Sequence, residues 1–189
     1  MSEKKRKIFV ISGPSGCGKN TVYDELKKRI PDIAQTVSAT TRAKREGETD
    51  GVDYYFIPQS EFSARVKNGE FVEYVRYGDN YYGTLKSEIT RLTDEDKIVI
   101  LIIEVNGASN IKKLLPDAVS VFILPPSFEE LKKRIVGRGT NSPEDIKKRI
   151  EIAECEMRYK DMYDYCVVND RLDACVDQIS EIIKGVTEK

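Results

Sequence analysis

Residues 7–21 of the 189-residue chain read KIFVISGPSGCGKNT, and they give the strongest local indication of its architecture. The run from Lys7 to Ile11 is short, apolar and rich in β-branched residues, which predicts a buried strand that stops at glycines. Gly13 to Lys19 then fits the pattern G-x-x-x-x-G-K. Thr21 to Ile30 carries apolar residues four apart, which predicts a helix that ends at a proline. The stretch therefore predicts a strand, a glycine-rich loop and a helix in direct succession.

A glycine-rich loop between a strand and a helix is typical of a phosphate-binding site. Glycines let backbone N–H groups converge on phosphate oxygens, and the helix N-terminus adds partial positive charge. Lys19 supplies a point charge for the β- and γ-phosphates. An ordinary glycine-rich turn is the alternative, and the flanking strand and helix argue against it. The predicted ATP-binding residues are Gly13, Pro14, Ser15, Gly16, Cys17, Gly18, Lys19, Asn20 and Thr21.

The rest of the chain alternates predicted strands and helices. Ile98–Val105 and Val119–Leu124 are almost wholly apolar, as strands buried on both faces of a sheet require. A short strand is expected within Gln35–Ser38 and a final one at Tyr165–Asn169. A long helix is expected from a cap at Ser142 to about Tyr159. The alternation predicts an α/β fold with a parallel sheet and right-handed crossovers.

Composition excludes several kinds of chemistry. The chain has no histidine, which rules out Ser-His and Cys-His catalytic pairs and zinc sites with histidine ligands. A net charge of −1 argues against bulk binding to nucleic acid or to a membrane surface. No apolar run approaches the length that spans a bilayer. The length fits one compact domain.

The four cysteines are Cys17, Cys155, Cys166 and Cys175, and none forms a C-x-x-C pair. The sequence therefore predicts free thiols in a reducing cytoplasm. Cys17 lies in the glycine-rich loop, so it is expected to be accessible to alkylating reagents.

Short segments along the whole chain from Lys7 to Ile183 together resemble the guanylate kinase family of P-loop nucleoside monophosphate kinases. Each segment alone is a weak signal, but their joint order is specific. In chain order the segments are Gly13-Pro14-Ser15-Gly16-x-Gly18-Lys19, Val37-Ser38-x-Thr40-Thr41-Arg42, Gly51-x-Asp53-Tyr54, Gly69-Glu70-Phe71-x-Glu73, Asn80-Tyr81-Tyr82-Gly83-Thr84, Glu104-Val105-x-Gly107-Ala108, Pro125-Pro126-Ser127, Gly137-Arg138-Gly139-Thr140 and Val168-Asn169-Asp170.

The resemblance implies an α/β P-loop kinase: a parallel-sheet core flanked by helices, with a small GMP-binding insert and a lid. The core would comprise about residues 1–37, 85–126 and 160–189. The insert would comprise about residues 38–84, and the lid about residues 127–159. Enzymes of this family transfer the γ-phosphoryl group of ATP to GMP, with Mg²⁺, in purine nucleotide metabolism. The implied substrates are ATP with GMP and dGMP, and the implied assembly is a monomer or homodimer.

Two arginines and two tyrosines of the insert match the family's monophosphate site. Arg42 and Arg45 carry forked donors suited to a bidentate grip on phosphate, with help from the hydroxyls of Tyr54 and Tyr82. The alternative is that these tyrosines only fill the core of the insert. Three further aromatic residues are expected to be structural: Phe71, Tyr74 and Tyr81.

Four residues match the positions that would contact the base: Ser38, Glu73, Thr84 and Glu104. Guanine offers N1–H and N2–H donors, for which a carboxylate is a matched pair of acceptors. Adenine lacks that donor pair, so Glu73 and Glu104 would disfavour it by being left unpaired.

The lid segment carries arginines that would neutralise charge on the transferring phosphoryl group. Charge runs in helices are more often solvated faces, and the neighbouring lysines are expected to be such. The catalytic residues implied by the resemblance are Lys19, Arg42, Arg134, Arg138 and Arg149.

Two positions near the expected Mg²⁺ depart from the family pattern. Asn20 follows the loop lysine where a serine or threonine is usual, and its amide oxygen can ligate Mg²⁺. Ile102 stands where the family usually has an acid that orients the ion through water. We expect activity to survive with a shifted metal requirement.

Two other functions are weighed against the kinase. A non-catalytic guanylate-kinase-like binding module typically loses the loop lysine and the GMP-gripping residues, whereas this chain keeps Lys19, Arg42, Arg45 and Arg138. A related P-loop kinase for another phosphorylated acceptor, such as a ribose phosphate, is the third possibility. The paired acids favour guanine over that acceptor.

Overall fold

A computed structural model describes residues 7–137 and 143–188 of the protein. Its strands are β1 Ile8–Ser12, β2 Ile33–Gln35, β3 Ser38–Thr40, β4 Tyr55–Phe56, β5 Phe71–Tyr77, β6 Asn80–Leu85, β7 Ile98–Ile102, β8 Val119–Leu124 and β9 Tyr165–Val168. Its helices are α1 Lys19–Arg29, α2 Gln59–Lys67, α3 Lys86–Asp94, α4 Val105–Leu114, α5 Phe128–Val136, α6 Pro143–Met157 and α7 Leu172–Thr187, and a 3-10 turn occupies Lys160–Met162. Among these helices, none combines the length and apolar content that crossing a bilayer would require.

The central sheet has five parallel strands in the order β2-β7-β1-β8-β9. Strand β1 lies in the middle, and all five of its residues are buried. Phe9 and Ile11 face a core built with α1 and α7, whereas Ile8 and Val10 face a core built with α3 and α4. Because helices cover both faces, each side chain of this strand is either apolar or hydrogen-bonded within the protein. The α/β fold with a parallel sheet is therefore confirmed.

A second sheet, in the order β4-β3-β6-β5, stands beside the first. Strands β5 and β6 form an antiparallel hairpin, and α2 covers the sheet through Phe62. Phe62 stacks on Phe71 with ring centroids 4.4 Å apart, and Tyr81 packs against the same small core. Phe71 and Tyr81 are therefore structural, as predicted. Tyr74 is 46% exposed and meets Phe62 only edge-on.

The polypeptide passes from the first sheet to the second at Thr36 and Val37. The single strand predicted within Gln35–Ser38 is wrong, because β2 and β3 belong to different sheets on either side of this crossing. Glu88 on α3 fixes the crossing: one carboxylate oxygen accepts from the Val37 N–H at 3.0 Å and the other from the Tyr55 hydroxyl at 2.9 Å. The short apolar pattern did not distinguish one strand from two.

The predicted strand Ile98–Val105 is too long. Strand β7 ends at Ile102, and Glu104 takes an extended conformation as the residue that precedes α4. Ile103 and Val105 are buried all the same, because the first turn of α4 packs on the sheet. Burial on both sides of the boundary makes strand and helix look alike in sequence.

The segment after β8 forms two helices with a core of their own. Leu131, Ile135 and Ala153 are the buried residues of this core, and they join α5 to α6. The Ser127 hydroxyl caps α5 by accepting from the Glu130 N–H at 3.1 Å. The expected cap at Ser142 lies outside the described residues. The division into core, insert and lid stays a prediction.

Candidate nucleotide site

The glycine-rich loop follows β1 directly and leads into α1. Gly18 precedes the helix with a φ of 94°, a left-handed conformation that favours glycine. A Cβ atom there would lie 2.7 Å from the side-chain nitrogen of Asn169, which itself donates to the Cys17 carbonyl at 2.9 Å. Since Gly18 has no side chain to cap α1, the first N–H groups of the helix are left for a ligand.

The Lys19 side chain folds back over the loop. Its Nζ atom donates to the Gly13 carbonyl at 2.6 Å and lies 3.4 Å from the Pro14 carbonyl. The ammonium group thus stands at the mouth of the loop, where phosphate oxygens can replace the carbonyls as its partners.

Cys17 points away from the loop surface and into the core. Its side chain is 0% exposed and packs among residues of β1, α1 and α7. Burial raises the pKa of its thiol, against the opposing effect of Lys19. The expected accessibility of Cys17 to alkylation is therefore wrong.

The glycine-rich loop, the second sheet and α6 surround one cavity of about 310 Å³. It lies beyond the carboxyl ends of β1 and β7, where α/β sheets place their ligands. The sequence-predicted residues that line it are Ser15, Lys19, Asn20, Ser38, Tyr54, Glu73, Tyr82, Glu104 and Arg149. Other predicted residues are absent from the described lining of this cavity: Thr21, Arg42, Arg45, Thr84 and Arg134.

Glu73 forms one wall of the cavity and is 6% exposed. Its Oε1 atom accepts a hydrogen bond from the Thr84 hydroxyl at 2.8 Å. Thr84 therefore holds the Glu73 carboxylate in position without lining the cavity itself. Burial raises the pKa of Glu73, and the hydrogen bonds from Thr84 oppose that rise. A Cβ atom at Gly107 would lie 2.6 Å from Oε2, so a glycine in α4 gives this carboxylate its room.

Arg42 already has an anionic partner in this structure. Its Nη1 and Nη2 atoms donate to the two Glu48 carboxylate oxygens at 3.0 and 2.7 Å, and its guanidinium lies 5.5 Å from the Tyr54 ring centroid. Glu48 also accepts from the Arg45 N–H at 2.7 Å. The hydrogen bond from Arg42 is the main cause that lowers the pKa of Glu48 to about 2. A phosphate would meet the remaining donors of Arg42, which Glu48 holds in place.

Sequence reasoning missed Glu48, because it lies in a polar loop where a carboxylate is unremarkable. Glu48→Gln is expected to raise the KM for the acceptor nucleotide about tenfold and leave kcat almost unchanged, since the carboxylate holds Arg42 against Tyr54. Steady-state kinetics at varied acceptor concentration measure this. Glu46→Gln, an exposed change in the same loop, is the matched control and should behave as the native protein. An unaltered KM in Glu48→Gln would show that Glu48 does not orient Arg42.

The predicted arginines of the lid segment lie in different surroundings. Arg149 on α6 lines the cavity. Arg134 on α5 instead donates from Nη1 to the Asn169 carbonyl at 3.2 Å and lies beside Glu130. Arg138 lies outside the described residues.

Sequence reasoning also missed Glu156 on α6. Its side chain is 8% exposed and accepts from the Ser15 N–H at 3.2 Å. Arg149, Ala153 and Glu156 follow one another at spacings of four and three, so they share one face of the helix. That spacing is the signal that could have placed Glu156 beside the loop.

Asn20 and Ile102, the two departures from the family pattern, both line the cavity. Asn20 is exposed and offers one neutral oxygen, whereas Ile102 offers none. Within residues 7–137 and 143–188, no three acidic, thiol or imidazole side chains form a group that could hold a metal ion.

A parallel sheet whose central strand leads into this loop and lysine defines a P-loop kinase fold. The guanylate kinase family model matches residues 5–186, and the chain belongs to that family. The family resemblance found in the sequence is thereby confirmed.

Curated relatives and a solved structure agree with this assignment. A guanylate kinase of Oceanobacillus iheyensis is 43% identical over 185 residues, which cover 98% of this chain and 90% of that protein. A guanylate kinase of Clostridioides difficile is 44% identical over 189 residues, which cover 100% of this chain and 92% of that protein. The crystal structure of guanylate kinase from Anaplasma phagocytophilum matches with a TM-score of 0.77 at 34% identity, covering 96% of this chain and 86% of that one.

Proposed function

We propose that this protein transfers the γ-phosphoryl group of ATP to GMP, and also to dGMP, giving ADP and the nucleoside diphosphate. One observation carries the proposal: the loop lysine Lys19 and the buried acid Glu73 line the same cavity. A phosphate-binding cation and an acceptor for a base thus face the same cavity. The family membership of the chain agrees with this reaction.

The base end of the cavity suits guanine. The Glu73 carboxylate, held by Thr84, and the Glu104 carboxylate offer acceptors for the N1–H and N2–H donors, with Ser38 beside them. A buried acceptor left without a donor costs about 1–3 kcal/mol, and this cost would disfavour AMP.

The phosphate end has four candidate residues. Tyr54 and Tyr82 line the cavity, while Arg42 stands behind Tyr54 and Arg45 is exposed at the rim of the same loop. We assign the GMP phosphate to this end, where two cations and two hydroxyls can bind an anion.

Phosphoryl transfer needs positioning and charge stabilisation more than a strong base, because the attacking phosphate oxygen of GMP is already anionic. Lys19 and Arg149, which both line the cavity, would stabilise charge on the transferring group. Arg134 would join them only if its side chain leaves the Asn169 carbonyl, as a movement of α5 towards the cavity would allow. We expect such closure on binding, because it excludes water that would otherwise hydrolyse ATP.

The donors near the loop fit an Mg²⁺ ion carried mainly by the nucleotide. Mg²⁺ usually keeps several waters and binds to substrate phosphates with only one or two protein ligands. Asn20 is the residue proposed to contact it, directly or through water. When bound, the ion would neutralise phosphate charge. Ile102 adds no donor, so we expect Mg²⁺ and Mn²⁺ to differ in their support of turnover.

A coupled assay of ADP release with ATP tests the proposal against its alternatives. We expect turnover with GMP and dGMP and little with AMP, UMP or a ribose bisphosphate, in Mg²⁺ and in Mn²⁺. Turnover with the ribose bisphosphate instead would indicate a related kinase with another acceptor. If millimolar Mg²⁺ supports no GMP-dependent turnover, the proposal is wrong. GMP binding without turnover would then favour the non-catalytic module, for which the apolar Ile102 is the supporting observation.

A further inference from the structure

Glu156 is a buried acid that the proposed reaction leaves without a role. It projects from α6, and its Oε2 atom accepts from the Ser15 N–H of the phosphate loop at 3.2 Å. The same carboxyl lines a groove together with Glu104, the residue that precedes α4, and the two side chains lie close enough to interact. One side chain therefore joins α6, the phosphate loop and a proposed guanine-binding residue.

Two carboxyl groups can hydrogen bond to each other only when one of them carries a proton. Glu104 is the group proposed to accept from guanine, so the proton belongs on Glu156. The Ser15 N–H is compatible with this assignment, because the carbonyl oxygen of a protonated carboxyl group still accepts a hydrogen bond.

The groups that face Glu156 come from several elements. Lys19 favours the ionised form of Glu156. The thiol of Cys17 and the hydroxyl of Tyr163 lie near enough to interact electrostatically with the Glu156 carboxyl group. Arg76 and Tyr77 of β5 line the groove beside the Glu104–Glu156 pair. Burial is the largest influence, and together with Glu104 it outweighs Lys19 and raises the pKa of Glu156 to about 8. Glu156 is therefore mostly protonated at pH 7.

We propose that Glu156 is a positioning residue which, in its protonated form, donates to Glu104 and accepts from Ser15, and so sets the guanine-binding carboxylate relative to the phosphate loop. The proposal rests on the proposed function. Loss of the proton places two negative charges side by side and displaces Glu104 from the base. GMP binding then weakens as the pH rises above about 8, whereas ATP binding at the loop is spared.

Glu156→Gln tests this directly, because an amide keeps both hydrogen bonds and does not titrate. The measurement is kcat/KM for GMP, with the KM for ATP, between pH 6.5 and 9.5. From pH 8 to pH 9 the native protein should lose about fivefold more of its kcat/KM for GMP than Glu156→Gln loses, as one ionisation with a pKa of about 8 predicts. At pH 7 the two proteins should agree within about threefold. Titration of guanine itself is common to both and cancels in their ratio.

Two further variants complete the test. Glu154→Gln, an exposed change on the same helix, should keep the native pH profile. Glu156→Ala, if it folds as judged by its thermal unfolding, should raise the KM for GMP at pH 7 at least tenfold. The inference is overturned if Glu156→Gln declines with pH as the native protein does. Absence of native turnover with GMP at pH 7 would overturn the proposed function as well, so the two failures can be told apart.

Discussion

Lys19→Met is expected to lower kcat for GMP-dependent ATP turnover by about a thousandfold. The Nζ atom stands at the mouth of the loop, held by the Gly13 carbonyl at 2.6 Å. Methionine has nearly the same length and no charge, so the phosphates would lose their fixed cation while the loop keeps its shape. The glycines and the buried Cys17 also hold that shape, beside the hydrogen bonds that Lys19 gives to the Gly13 and Pro14 carbonyls. Steady-state turnover with saturating GMP and ATP measures the effect.

Lys28→Met is the matched control, because Lys28 is exposed on the same helix and its ion pair with Glu25 lies at the surface. Exposed pairs of this kind contribute little to stability, so activity should stay native. Thermal unfolding of both variants checks that the fold is kept. A Lys19→Met protein with more than about a tenth of native kcat would contradict the proposed role of the lysine.

Glu73→Gln is expected to lower kcat/KM for GMP by about a hundredfold to a thousandfold. Oε1 is engaged by Thr84, so an amide would turn its NH₂ group towards the donors of guanine. Two donors would then face each other in a buried wall, and neither would be satisfied. AMP should gain relative to GMP, since its base presents an acceptor at that edge. The KM for ATP should stay constant, because Glu73 lies across the cavity from the loop.

Glu70→Gln serves as the control for this variant. Glu70 lies just before β5, and its partly exposed carboxylate is 3.8 Å from Arg65 at the periphery of the second sheet. We expect native kinetics from it. If Glu73→Gln keeps the native preference for GMP over AMP, then Glu73 does not read the base.

The fold was largely predictable because its signals are local. The strand, loop and helix at Lys7–Ile30 and the apolar strand Val119–Leu124 come from patterns of a few residues. The end of β7 was not predictable in this way, since Ile103 and Val105 are as buried as the strand itself. Nor was the crossing at Thr36 and Val37, because sheet membership depends on distant partners. Such partners are invisible to periodicity.

Motif residues were easier to find than the residues that hold them. Lys19 and Glu73 lie in segments whose order along the chain is distinctive, and both line the cavity. Glu48 was missed because one charged residue in a polar loop carries no local signal. Glu156 was missed because its helical spacing from Arg149 indicates only a shared helix face and not what that face contacts. Their importance depends on contacts with Arg42 and Ser15, which only the folded arrangement provides.

The inward turn of Cys17 has a consequence for oxidative damage. A thiol reacts with peroxide as its thiolate, and burial raises the pKa of Cys17 as well as that of its neighbour Cys175. Cys155, by contrast, is exposed on α6. An oxidant therefore reaches Cys155, on the helix that carries Arg149 and Glu156, and the exposed Cys166 on β9 more readily than the buried thiol of the phosphate loop.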